Sequence, residues 1–311
     1  MSIENRSGQS RKQVGRLLTA MLTPFDQDGS VSYEKAQRLA QLLVEDGSDG
    51  VIIAGTTGES PTLTDDEKIE LIKRVKEAIP GKDIVAGSGS NATHHSVEFS
   101  KRCMDAGADA LLAVVPYYNK PPQEGMYQHF KAISEVGPVI MYNIQGRSAV
   151  NMTAATTLRC AQEPGIMGVK EASGDLDQMG LVCAGKPDDF RVWSGDDSFT
   201  LPLLAVGGYG VICVVSHIAG RSMKRMIDAF ESGDTAAARR IHLGLLPVIK
   251  ALMSTAANPV PIKGVVEALG FPVGPFRLPL TPLPKEDLDR VMKVVQAAGD
   301  LITFSSGARV A

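Results

Sequence analysis

A lysine at position 170 closes the apolar run IMGV, and a glutamate follows it, within IMGVKEASGD (166–175). Lysine is among the residues least often fully buried without a partner, and an ammonium in apolar surroundings tends to shed its proton. Three arrangements meet that constraint. Lys170 reaches solvent, it pairs with Glu171 or another acid such as Asp196, or its neutral amine is wanted for chemistry. A neutral amine attacks carbonyls. An ordinary lysine, with a pKa near ~10.4, offers roughly one neutral amine in a thousand near pH 7.4. Each unit by which burial lowers that value raises the neutral share about tenfold, until the group is mostly deprotonated.

Residues of matching chemistry end other apolar runs. GVIIAGTTG (50–58) leads into Gly55-Thr56-Thr57-Gly58-Glu59. DALLAVVPYY (109–118) ends in Tyr117-Tyr118, with Asn119 next. PVIMYNI (138–144) contains Tyr142-Asn143, and FRVWSGD (190–196) ends in Ser194-Gly195-Asp196 before Asp197. A tyrosine hydroxyl can carry protons as a carbinolamine forms and collapses. Each group also has a plainer explanation. A Tyr-Tyr pair packs or meets a neighbour, Thr-Thr-Gly turns the chain and caps a helix, and Lys170 bridges to an acid. Gathered on one rim, the same groups suit Schiff-base chemistry. No histidine–acid pair with metal spacing joins them. His94 and His95 are adjacent at the start of a helical stretch, where neighbours do not face one another, so a metal-dependent aldolase is disfavoured.

The elements that must gather these residues are legible as apolar runs alternating with helical patterns. Strands are expected in LLTAMLTPF (17–25), 50–58, DIVAGSG (83–89), 109–118, 138–144, 166–172, 190–196 and GYGVICVVS (208–216). Helices are expected over 32–47, 64–81, 92–107, 123–137 and 153–163, then to about 185, near 198–206 and through about 232. TDDEKIELIKRVKEAIPG (64–81) opens on an N-cap threonine with acids in its first turn. Continuous apolar strands joined by helices indicate a parallel sheet with both faces covered. Eight such units favour an α/β fold of the (β/α)8 TIM-barrel type over an open doubly wound sheet, and no GxGxxG follows the first strand. The chemistry of such a barrel lies at the C-terminal ends of its strands, which is where these residues fall. The expected organisation is a polar N-terminal extension (1–15), the barrel (16–232) and a C-terminal helical appendage (233–311).

Composition excludes several classes. The 311 residues are 44% hydrophobic and 22% charged, with a net charge of -3, which argues against a nucleic-acid partner. Cys103, Cys160, Cys183 and Cys213 form no CxxC and read as buried free thiols of a reducing compartment rather than a zinc site. The polar start, MSIENRSGQSRKQVGR, has no apolar core of a secretory signal. No apolar run approaches the roughly 18–20 residues that span a bilayer. The expectation is a cytoplasmic protein with no membrane partner.

From about residue 16 to 300 the chain resembles the dihydrodipicolinate synthase family, pyruvate-dependent class I aldolases related to N-acetylneuraminate lyase. The resemblance is carried, in order, by GTTGESPTL (55–63), PYYNKPPQEGMYQHFKAI (116–133), YNIQGRS (142–148), GVKEASGD (168–175), SGDD (194–197), GGYGVICV (207–214) and NPVPIK (258–263). It implies condensation of pyruvate with L-aspartate 4-semialdehyde in lysine and diaminopimelate biosynthesis. No cofactor is implied beyond a covalent pyruvate Schiff base on Lys170. Tyr142 would shuttle protons and Thr56 relay them. Tyr118 would complete the relay in a neighbouring subunit's site. Arg147 would fix the carboxylate of the semialdehyde, as a guanidinium fork suits. Thr57 would hold the pyruvate carboxylate, the Ile212 carbonyl would lie near the Schiff base, and Gly195 and Asp196 would stand among the substrate-binding residues. The implied assembly is a homotetramer of tight dimers.

Two departures from the family pattern stand out. Gln145 occupies a position where many members have proline, two residues before Arg147. Asp65, Lys68 and His95 replace the His, His and Glu of lysine-inhibited bacterial members, although Ser60, Asn91 and Tyr117 match. The first leaves open a related aldolase acting on a sugar acid or hydroxy-oxoacid; the second implies weak or absent inhibition by L-lysine. A non-catalytic relative is the remaining alternative, opposed by the presence of Lys170, Tyr142, Thr56 and Tyr118.

Overall fold

The computed structural model describes residues 13–305. Eight parallel strands close in sequence order: β1 (Leu17–Ala20), β2 (Gly50–Ile53), β3 (Asp83–Gly87), β4 (Ala110–Val114), β5 (Val139–Asn143), β6 (Ile166–Glu171), β7 (Arg191–Ser194) and β8 (Gly210–Cys213). Strand β8 pairs back on β1 through Leu17↔Val211 and Leu18↔Ile212. The expected TIM barrel is present. Its strands are shorter than the apolar runs that announced them. LLTAMLTPF contributes only four strand residues, and Phe25 instead bridges to Val31. An apolar run records burial, and the loops leaving this barrel are buried too.

Alternation along the strands separates two cores. Leu18, Ile52, Val85, Leu112, Ile140, Tyr142, Trp193 and Ile212 fill the barrel interior. Leu17, Val51, Ile84, Leu111, Met141 and Val192 face outward into the layer shared with the helices. That outer ring comprises Tyr33–Glu45, Asp65–Ala78, Thr93–Asp105, Gln123–Ser134, Ala154–Cys160, Leu176–Gly185, Thr200–Ala205 and Ser216–Glu231. The N-cap expected at Thr64 is formed and belongs to a capping box: the Thr64 hydroxyl accepts from the Glu67 N–H while the Glu67 carboxylate accepts from the Thr64 N–H.

Most of the polar extension expected over 1–15 lies outside the described residues. Its end does not behave as an extension. Val14 is buried in the barrel interior, and the Gly15 carbonyl accepts from Trp193 Nε1 at 3.0 Å, so this stretch plugs the N-terminal end. Beyond the barrel, helices Thr235–Ser254, Val260–Ala268 and Lys285–Ala297 follow. Cys103, Cys160 and Cys213 are buried free thiols, while Cys183 is only partly buried. No helix among the described residues is long and apolar enough to cross a membrane.

Candidate active site

At the C-terminal mouth of the barrel lies a cavity of ≈ 500 Å³, lined among others by Thr56, Thr57, Tyr142, Arg147, Lys170 and Gly195. Lys170 reaches it through an irregularity in β6. Val139 faces Ile166, but the next residue, Ile140, faces Gly168, so Met167 is an extra residue in the strand. Ile166 and Val169 both face the outer core while Met167 faces the interior. Unbroken alternation from Ile166 would have turned Lys170 outward; the bulge turns it inward, a recurrent use of bulges. Gly168 permits this, because a Cβ there would lie 2.3 Å from the Arg191 carbonyl oxygen.

Inside, Lys170 is 6% exposed, with Nζ 4.2 Å from the centroid of the Tyr142 ring. The two residues are direct partners across β5 and β6. Burial lowers the Lys170 pKa to about 8, against the opposing pull of the Asp197 carboxylate. Neither acid considered from the sequence bridges to it. Glu171 points to the opposite face, where it accepts from Asn143 Nδ2, the Ser173 N–H and Gln178 Nε2. The Asp196 carboxylate caps the turn at 197–199, accepting from the Ser198 N–H and hydroxyl. Gly195 packs directly on the lysine: a Cβ there would lie 3.0 Å from Lys170 Cε.

Tyr142 is buried, and burial pushes its phenol up to about 12, opposed by the Arg147 guanidinium and by a hydrogen bond with Thr56. The Tyr142 hydroxyl therefore stays protonated across the working range of an enzyme and can donate to a developing oxyanion or to water. Thr56 and Thr57 sit in two successive turns, closed by the Gly58 N–H to Gly55 and the Glu59 N–H to Thr56. Arg147 rides on a one-turn helix, Gln145–Ser148, that the sequence reading did not anticipate. Its Nη2 donates to the Asn258 carbonyl at 2.9 Å.

The remaining expected residues are placed differently. Ile212 is buried in the barrel interior. Tyr118 is 87% exposed with φ 73; Tyr117, not Tyr118, lines the cavity of this chain. Ser60, Lys68 and His95 border the same cavity, with Asp65 2.9 Å from His95 and 3.6 Å from Lys68.

Two residues, Asp197 (buried) and Asn258 (partly buried), escaped the sequence reading. Asp197 accepts from the Val214 and Val215 N–H groups, and burial raises its pKa to about 6. The adjacent aspartates of SGDD were visible, but nothing in their types told which one turns inward. Asn258, inside the NPVPIK motif, donates to Thr57 Oγ1 at 3.0 Å; its motif was noticed without a role. Among the described residues no group of three or more His, Cys, Asp or Glu could hold a metal.

The model of the dihydrodipicolinate synthetase family matches residues 13–298. The 4-hydroxy-tetrahydrodipicolinate synthase of Moorella thermoacetica is 51% identical over 290 residues, 92% of this chain and 99% of that protein. The 4-hydroxy-tetrahydrodipicolinate synthase of Thermosynechococcus vestitus is 51% identical over 271 residues, 86% of this chain and 91% of that one. Among solved structures, that of dihydrodipicolinate synthase from Cyanidioschyzon merolae with lysine bound superposes with a TM-score of 0.89. It is 45% identical and covers 92% of this chain and 98% of its own.

Proposed function

The chain belongs to the dihydrodipicolinate synthetase family and is a lyase, and from that premise we propose that it condenses pyruvate with L-aspartate 4-semialdehyde through a Schiff base on Lys170. The observation that carries this reading is a lysine buried beside a protonated tyrosine, its pKa lowered to about 8. The neutral Lys170 amine attacks the pyruvate ketone carbon. Tyr142, linked to Thr56, delivers a proton to the oxygen, and water leaves as the imine forms. Loss of a methyl proton from the imine gives the enamine, whose carbon attacks the aldehyde. Water then hydrolyses the imine, freeing Lys170, and the released amino ketone cyclises with loss of water.

Thr57 holds the pyruvate carboxylate and Arg147 the carboxylate of the acceptor. Gly195 leaves room for the lysine stem, Asp196 supports that loop, and the Ile212 carbonyl faces the imine. Tyr118, exposed in the single chain, serves the site of a neighbouring subunit, which favours a homotetramer of dimers. The chain needs no cofactor beyond covalently held pyruvate, acts in the cytoplasm, and serves diaminopimelate and lysine synthesis. The barrel (16–232) carries the chemistry, and the described part of the C-terminal region (233–305) braces it.

The test follows product formation from the two substrates with dihydrodipicolinate reductase, which oxidises NADPH as it consumes the product. A sustained rate that is lost in Lys170→Ala supports the assignment. Gln145 favours a second reading, because it opens the turn that carries Arg147. A pyruvate adduct without turnover of the semialdehyde would transfer the assignment to a sugar-acid or hydroxy-oxoacid aldehyde.

A further inference from the structure

The stretch from Asn258 to Arg277 grips the threonine loop after β2 from behind. Lys263 is 1% exposed and its Nζ lies 2.6 Å from Glu59 Oε1. The same ammonium donates to the Pro275 carbonyl at 2.6 Å, and the rings of Phe25 and Phe276 lie with centroids 4.6 and 4.5 Å from it. The other Glu59 oxygen accepts from the Arg277 N–H at 3.2 Å. The Arg277 side chain continues to the Thr62 carbonyl and to both oxygens of Glu67.

Glu59 follows Thr56 and Thr57 closely and holds a left-handed backbone, φ 56, where a residue other than glycine stays only if its surroundings over-determine it. Neither Glu59 nor Lys263 is among the residues lining the cavity, so any effect on chemistry must pass through the loop. An ion pair sealed between two rings, with its ammonium and carboxylate satisfied, acts over a short range and in one geometry.

We propose that the Lys263–Glu59 pair is a positioning device that fixes the 55–63 loop against the C-terminal region and so sets Thr56 and Thr57 for the donor substrate. This rests on the reading of that loop as the pyruvate site. Asn258 touches both sides, its carbonyl accepting from Arg147 and its Nδ2 donating to Thr57, but Glu59 itself belongs to the threonine loop, so loosening the pair shifts that loop first and falls more heavily on pyruvate than on the acceptor. A displacement of about an ångström at such a loop is enough to weaken productive binding severely.

The double variant Glu59→Gln/Lys263→Met removes both charges while keeping both volumes, and so leaves no ion unpaired in the interior. The expected result is a cooperative melt, a KM for pyruvate raised by about fivefold or more and a KM for the semialdehyde within about twofold of the unmodified protein. Borohydride should still trap pyruvate on Lys170 at saturating substrate. A folded double variant with unchanged pyruvate KM, or with both KM values raised alike, overturns the proposal. Should the double variant lack a melting transition, Glu59→Asp keeps both charges, withdraws the carboxylate by one methylene and is judged by the same split. The unmodified protein separates the two levels of the inference. No pyruvate adduct there rejects the site itself and the proposal with it, whereas an adduct there with unaltered variant kinetics rejects only the role of the pair.

Discussion

Lys170 is held in an environment that disfavours its charge. Its pKa falls from an ordinary 10.5 to about 8 through burial, a loss of roughly 3 kcal/mol of stability at neutral pH on the linkage of about 1.4 kcal/mol per unit. The unfolded chain binds the proton more tightly, so this penalty is fully present below pH 8 and fades as pH rises toward 10.5. Lys170→Met should therefore melt higher than the unmodified protein at pH 7, with the difference shrinking at pH 9–10; calorimetry across pH measures it. The same value sets the rate of adduct formation. Trapping of pyruvate at subsaturating concentration should rise about tenfold per pH unit up to near 8 and then level off, because Tyr142 stays protonated throughout. Gly195→Ala would press a Cβ to within 3.0 Å of Lys170 Cε; a ten- to hundredfold fall in kcat/KM, roughly, is expected for so small a displacement of the amine. The lysine was legible in the sequence because it broke an apolar run. Strand alternation by itself sets Lys170 and Glu171 on opposite faces; which of the two faces inward depends on the bulge earlier in β6, and neither residue type announces that.

At the scale of elements, that bulge is the decisive feature of β6. A glycine inside a strand is a known sign of irregularity, and Gly168 stands in IMGVK, so the signal was present though unread. Gly168→Ala has no room beside the Arg191 carbonyl and should destabilise by about 1–3 kcal/mol or more while lowering activity, read by denaturant unfolding and by assay. The pairing of NPVPIK with GTTGE was not deducible, because the two motifs lie about 200 residues apart in sequence and nothing local links them. Lys263→Met alone would leave Glu59 buried and unpaired, and a loss of about 3–5 kcal/mol is expected. Helix starts were read better than strand ends. Thr64 and Glu67 carry a local code, whereas the short turn bearing Arg147 has no periodicity to announce it.

For the whole molecule, the eight-fold alternation made the barrel readable, because each strand buries both faces and each helix covers one. Closure itself follows from the pairing of β8 with β1, a contact between the two ends of the barrel that no local pattern contains. The N-terminal plug was misread for a related reason: Val14 is a lone apolar residue in a polar stretch, and only the open end of the barrel explains its burial. Assembly is the property that a single chain leaves to its surface. Tyr118, exposed and held at positive φ, should lie in an interface; Tyr118→Ala is expected to lower kcat while leaving the melt of the chain little changed. The rim around Asp65, His95 and Lys68 is already internally paired, so L-lysine at about millimolar concentration, where binding is worth only about 4 kcal/mol, should leave most of the rate intact; a rate halved below that concentration would contradict this.

The proposed chemistry turns on Lys170 as the nucleophile. Incubating the unmodified protein with pyruvate, reducing with borohydride and mapping the peptides tests it most directly. A single modified lysine, residue 170, is the predicted result, with none in Lys170→Met. Modification at another lysine, or no modification of a folded protein at saturating pyruvate, would rule Lys170 out as the nucleophile.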